Sequence, residues 1–114
     1  MRKNLCLCVI LFLLTGCNSK FDRQKWMIQE DVEYYPYRKS MVNDLMKNHH
    51  FQGLSYWQLT DSLGKPDGNY SPNEISYLID IKYDMIDPVY FKNLVFRFNK
   101  DSVVTGCEVK EWKK

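Results

Sequence analysis

The residues able to do chemistry in this 114-residue chain are few, and they stand apart from one another. His49 and His50 are its two histidines. Neighbours on a helix point about 100° apart, and no Cys, Asp or Glu stands at the spacing that completes a metal site. The pair therefore reads as a polar helix end, where a cationic imidazole suits the helix dipole. Ser40, Ser55, Ser62 and Ser102 lie outside any Gly-x-Ser-x-Gly elbow. Asp80, Asp84 and Asp87 lack the spacing of a calcium loop and read as a solvated rim. Gly64-Lys65-Pro66-Asp67-Gly68 lacks the Gly-Lys-Ser/Thr ending of a phosphate loop. Lys110, Lys113 and Lys114 form a basic end too small to hold an anionic membrane. The expectation is a chain without catalytic residues, metal or cofactor, and not an enzyme.

The cysteines carry more. Met1-Arg2-Lys3-Asn4 is a basic start, followed by the uncharged apolar run Leu5–Leu14, which contains Cys6 and Cys8. A bilayer-spanning helix needs roughly 20 apolar residues, so this shorter run reads as the hydrophobic region of a secretory signal. It ends in Leu14-Thr15-Gly16-Cys17, which resembles the lipobox of bacterial lipoprotein precursors. That resemblance implies removal of residues 1–16, a diacylglyceryl group on the Cys17 sulfur, and an acyl chain such as palmitate on the new amino group. Two or three acyl chains anchor a domain stably where one does not. Asn18 stands where lipoproteins kept at the inner membrane carry an aspartate, so the resemblance implies an address in the cell envelope, on the periplasmic face of the outer membrane.

Processing changes the charge. The 16 Lys and Arg include Arg2 and Lys3, so 14 remain to balance the 14 Asp and Glu. A neutral mature chain gives no support to nucleic-acid binding. Cys107 is then left without a partner for an internal disulfide. On the apolar side of a strand, it reads as a small hydrophobe.

The rest of the chain must fold around these residues. Residues 17–33 read as the lipidated cysteine and a tether that orders near Trp26, and residues 34–114 as one domain. Tyr34-Tyr35-Pro36-Tyr37 interrupts helical geometry. Met41, Val42, Leu45 and Met46 make one stripe of a helix over 38–48. Ser55 and Gln58 form a capping box, with Leu54 and Leu59 placed as a hydrophobic staple. Gly64 and Pro66 end that helix after Leu63. Residues 64–74 read as a turn-rich loop. Strands follow at 75–83, with Ile75, Tyr77, Ile79, Ile81 and Tyr83 inward, at 89–98, and at 103–112, with Val103, Thr105, Cys107 and Val109 aligned. Short connections favour an antiparallel meander. The expected fold is two-layer α+β, two helices on a three-stranded sheet in the order ααβββ.

A lipobox, the run Gly53-Leu54-Ser55-x-x-x-Leu59-x-x-x-Leu63-Gly64-Lys65-Pro66 and three terminal strands together resemble the SmpA/OmlA (BamE-like) family of small bacterial lipoproteins. Leu54 stands where members carry methionine. The resemblance spans residues 26–112 and extends to the two-helix, three-strand unit repeated in the β-lactamase inhibitor protein. It implies a non-catalytic protein-interaction module that supports outer-membrane protein assembly or envelope integrity by binding envelope proteins. The alternative it leaves open is an inhibitor-like or ligand-binding module facing the periplasm.

Aromatic residues make up 15% of the chain, and exposed Tyr and Trp are typical interface anchors. Trp26 reads as core. Trp57 lies about 200° around its helix from Leu59 and so cannot share that buried face. Trp112 lies on the opposite strand parity from Cys107. Trp57, Tyr56 and Trp112 are therefore the expected partner-binding residues. The lipid expectation is tested directly: Cys17→Ser should abolish acyl labelling and leave unprocessed or soluble protein, and continued labelling would refute it.

Overall fold

The structure, a computed structural model, describes residues 19–114, so the expected signal peptide, Cys17 and its lipid lie outside the described residues. Three helices precede a four-stranded antiparallel sheet of order β1-β2-β3-β4. The helices are α1 (Arg23–Met27), α2 (Arg38–Asn48) and α3 (Tyr56–Leu63). The strands are β1 (Gly68–Ser71), β2 (Glu74–Asp84), β3 (Asp87–Phe98) and β4 (Val104–Lys113). The α+β meander is as expected, but each half of ααβββ gains one short element.

Both additions depend on long-range partners. α1 has five residues, too few to be stable alone. It holds because the Asp22 side chain accepts from the Gln24 and Lys25 amides and Trp26 is fully buried. β1 lies inside the expected loop 64–74, where Gly68 and Asn69 pair with Ser76 and Ile75. The expected loop after Asp84 is likewise smaller, because Asp84 pairs with Asp87 and only Met85 and Ile86 remain between the strands.

Local signals place α3 well. Ser55 accepts from the Gln58 amide, and the Gln58 side chain accepts from the Ser55 amide, completing the capping box. Gly64 ends the helix at φ 84° and ψ −175°, a glycine-favouring conformation rather than the expected left-handed turn. A β-carbon there would also stand 2.8 Å from the end of the Met27 side chain.

The core fills the space between the helices and one sheet face: Leu59 and Leu63 from α3, Met41, Val42 and Leu45 from α2, and Tyr77, Leu94, Phe96 and Val104 from the sheet. The fourth member of the buried α2 stripe is Arg38, only 3% exposed. Met46, expected in that stripe, lies at its rim. The Arg38 Nε donates to the Trp26 carbonyl at 2.8 Å, and its Nη1 donates to Asp67 at 2.6 Å and the Leu78 carbonyl at 3.0 Å. Its Cζ lies over the Tyr35 ring, 3.5 Å from the centroid, and 4.8 Å from the centroid of the Trp26 ring. The same Asp67 accepts from the Leu78 amide and the Tyr35 hydroxyl.

Register shifts redirect two strands. Leu78 pairs with Asn93 and Asp80 with Lys92, so Ile79 is an inserted residue. Tyr77 and Ile79 face the core, but Ile81, expected beside them, pairs with Phe91 on the other face. In β4 a shift between Gly106 and Val104 leaves Thr105 exposed. Val104, Cys107 and Val109 share the core face instead of Val103, Thr105, Cys107 and Val109.

Arg38→Met should cost about 3–5 kcal/mol, because Asp67 and two carbonyls lose a buried donor. Denaturant unfolding measures it, and a loss below about 1 kcal/mol, the range of an exposed pair, would contradict the role assigned to Arg38.

Candidate functional site

The helices pack on one sheet face; the other, apart from the edge at Leu78 and Ile81 where residues 33–36 approach, carries side chains of its own strands. Two kinds of surface result. In the half nearest the turn between β3 and β4, Arg97 pairs with Glu74 and Glu108, each at 3.6 Å, and Glu108 pairs with Lys110 at 3.4 Å. Val95 is 1% exposed on this face despite the lack of a helix, so these long side chains and their neighbours must roof it.

Beyond the charges lies an aromatic ledge. Phe91 and Trp112 are cross-strand partners with ring centroids 5.4 Å apart. The Lys110 ammonium sits 4.6 Å from the Tyr70 ring centroid. These four side chains, with Asn93 and Glu111, line a hollow of about 290 Å³. Trp112 is half-exposed, as its strand parity predicts. Tyr70 belongs to β1, inside the expected loop 64–74, and neither Tyr70 nor Phe91 is among the expected partner-binding residues. The signal available for Phe91 was its alternation with the core-facing Leu94, Phe96 and Phe98.

The expected partner-binding residues do not form one surface. Trp57 is 78% exposed on α3, on the helical side of the domain. Tyr56 is half-buried, its ring 5.6 Å from Phe98 and 5.4 Å from Trp57. It contributes to packing as much as to surface. Trp112 lies on the opposite sheet face from the helices.

Other chemistry-bearing residues are engaged structurally. His49 lies 3.4 Å from Asp44. The Phe21 amide, then the Asn48 side chain, hold the Asp44 carboxyl below the usual carboxylate range. Cys107 is half-buried with its sulfur 3.9 Å from that of Met46, and burial raises its thiol pKa, disfavouring the thiolate. Lys39 pairs with Asp80 at 3.5 Å. Among the described residues no group of three or more His, Cys, Asp or Glu could hold a metal ion, and no helix is long and apolar enough to cross a membrane.

Comparison with family models, curated proteins and solved structures finds no match to this chain.

Tyr35 supplies a pH test of the Arg38–Asp67 knot. Burial and its hydrogen bond to Asp67 push its phenol up to about 12. An unfolded tyrosine loses its proton near pH 10. The unfolded chain thus binds fewer protons between pH 10 and 12, and stability falls across that window. Below pH 10 the contribution is fully present. Thermal melts should show a shallower alkaline decline for Tyr35→Phe than for the parent, and identical slopes would remove Tyr35 from the knot.

Proposed function

We propose that this chain is a lipid-anchored protein of the bacterial cell envelope that binds other envelope proteins without catalysing a reaction. Its anchor is Cys17, and its main contact surface is the ledge of Trp112, Phe91 and Tyr70. The observation that carries this reading is a helix-free sheet face with exposed aromatics beside charged residues. Interfaces combine aromatic anchors in this way with a polar rim. The hollow beneath the ledge suits one or two partner side chains; its volume is at the lower bound of small-molecule pockets. Trp57 provides a second, separate contact on the helical side. The lipobox supports the envelope address, and the resemblance to the SmpA/OmlA family supports a role alongside outer-membrane protein assembly.

Capture from detergent-solubilised membranes with the tagged, lipidated chain tests this reading. Trp112→Ala and Trp57→Ala should each leave the melting temperature nearly unchanged, since neither side chain is buried. Trp112→Ala should lose most captured partner and Trp57→Ala less. Co-purified barrel-assembly proteins support the interaction module, whereas a single soluble enzyme supports the inhibitor-like alternative. Undiminished capture by both variants would refute the aromatic surfaces.

A further inference from the structure

Two tight turns stand together at one end of the domain. Met85 and Ile86 join β2 to β3, and Val32 and Glu33 form a second turn closed by the pairing of Asp31 with Tyr34. The Tyr83 hydroxyl ties them by donating to the Glu33 carboxylate at 2.7 Å. Two-residue hairpin turns favour Gly, Asn or Asp where φ is positive, yet Met85 takes φ 60°. The turns hold out aliphatic side chains: Met85 is 93% exposed, Ile86 88% and Val32 81%. Three apolar side chains held in water on two linked turns, one on a backbone conformation unsuited to it, call for an apolar partner.

The path of the chain indicates which partner. Ser19 donates from its amide to the Ser40 carbonyl at 2.8 Å and from its hydroxyl to that of Ser40 at 2.9 Å. The Phe21 amide reaches Asp44. Residues 19–21 are thus laid along α2, beginning at its first turn. Beside Ser40, Lys39 reaches Asp80 of β2. The two elements run in opposite directions, since Phe51, beyond the end of α2, packs on Phe96, whose strand neighbour is Ile75. From Asp80 the hairpin therefore continues past the start of α2. At about 3.4 Å per residue, Met85 stands on the order of 15 Å farther out. Only Asn18 separates Cys17 from Ser19, two Cα–Cα steps with a reach of at most about 7 Å.

We propose that Val32, Met85 and Ile86 enter the headgroup–acyl boundary of the bilayer that holds the Cys17 lipid. This rests on the reading of Cys17 as the lipidated residue. A bilayer within reach of that anchor meets the projecting turns. With residues 17–19 fully extended towards the tip, the turns stand about 8 Å beyond Cys17, within the roughly 5–10 Å to which interfacial apolar groups sink. The domain is then held end-on by two attachments instead of swinging on one. Asp31, Glu33, Asp84 and Asp87 flank the turns, so the carboxylates stay at the headgroup level while only the three apolar side chains pass below it, and anionic lipid adds no attraction.

The test uses the full lipidated chain in phosphatidylcholine vesicles whose acyl chains carry bromine, a quencher of indole emission. Ile86→Trp adds a reporter at the tip, and Asp101→Trp adds one in the turn between β3 and β4, at the other end of the sheet. Mass measurement of the N-terminal peptide establishes the lipid independently. The expected result, after subtraction of the parent signal, is blue-shifted, quenched emission from position 86 and neither change from position 101. An unquenched indole at 86 on a lipidated, vesicle-bound chain overturns the docking while leaving the anchor intact. Equal quenching at both positions overturns the end-on orientation. Shielding at 86 that needs added membrane proteins assigns the tip to a protein partner and overturns the lipid contact. An N-terminal peptide without acyl groups overturns the anchor and the docking together.

Discussion

A buried guanidinium organises this domain. Removing the Arg38 charge from water is costly and is offset only when its donors are used and a counter-charge is near. Here the compensation comes from four separate parts of the chain. The Trp26 carbonyl fixes the end of α1, Asp67 fixes the segment after α3, the Leu78 carbonyl fixes β2, and Tyr35 covers the planar face. None of these partners is local to Arg38 except Tyr35. The arrangement therefore specifies how three elements meet as well as how strongly they hold. The Asp67 carboxylate accepts from both the arginine and the Leu78 amide, and Arg38 donates to the Leu78 carbonyl, so β2 beyond its pairing with β1 does not present those groups to water. Trp26 adds volume beside this knot, since its indole N–H has no acceptor and is the one buried side-chain N or O without a partner among the described residues.

The sheet is asymmetric because only one face receives the helices. On that face the alternation of β3 supplies Leu94, Phe96 and Phe98 to a continuous core. On the other, charges screen the half nearest the turn between β3 and β4, and Phe91 and Trp112 stand in the opposite half. The start of β4 is closed by the segment before α3, with Gly53 donating to the Val104 carbonyl and Val104 donating to that of Leu54. The cap of α3 is consequently also a sheet edge, and its capping box and its pairing reinforce one another. Exposed ion pairs such as those of Arg97 add little stability individually. Their larger consequence is to leave the neighbouring aromatics as the apolar part of a mixed surface.

Under the proposed reading, attachment and recognition are separate jobs for separate regions. The first residues of the described chain lie along α2, and the Val32 and Met85–Ile86 turns project from the same end. The ledge uses the back of the sheet. A protein held at one end by lipid can present that face in a restricted orientation, which lowers the ordering cost of binding a partner in the same membrane.

The sequence by itself determined the locally encoded parts. A helix over 56–63 follows from Ser55, Gln58, Gly64 and Pro66, whose effects act within a few residues. The boundaries of α2, the outward direction of Trp57 and the face of Trp112 follow from helical and strand periods. Tertiary structure decided what depends on distant partners. β1 exists because Ser76 and Ile75 are there to pair with it, and α1 exists because Trp26 has a core to enter. Ile81 and Thr105 leave the core face because inserted residues reset strand parity, a displacement that simple alternation cannot register. The ledge likewise needed the sheet to bring Tyr70, Phe91 and Trp112 together from three strands. Arg38 shows the reason most directly: a charged residue at a helix start reads as surface until Asp67, Trp26 and Leu78 converge on it, because burial of a charge is decided by the partners that the fold supplies.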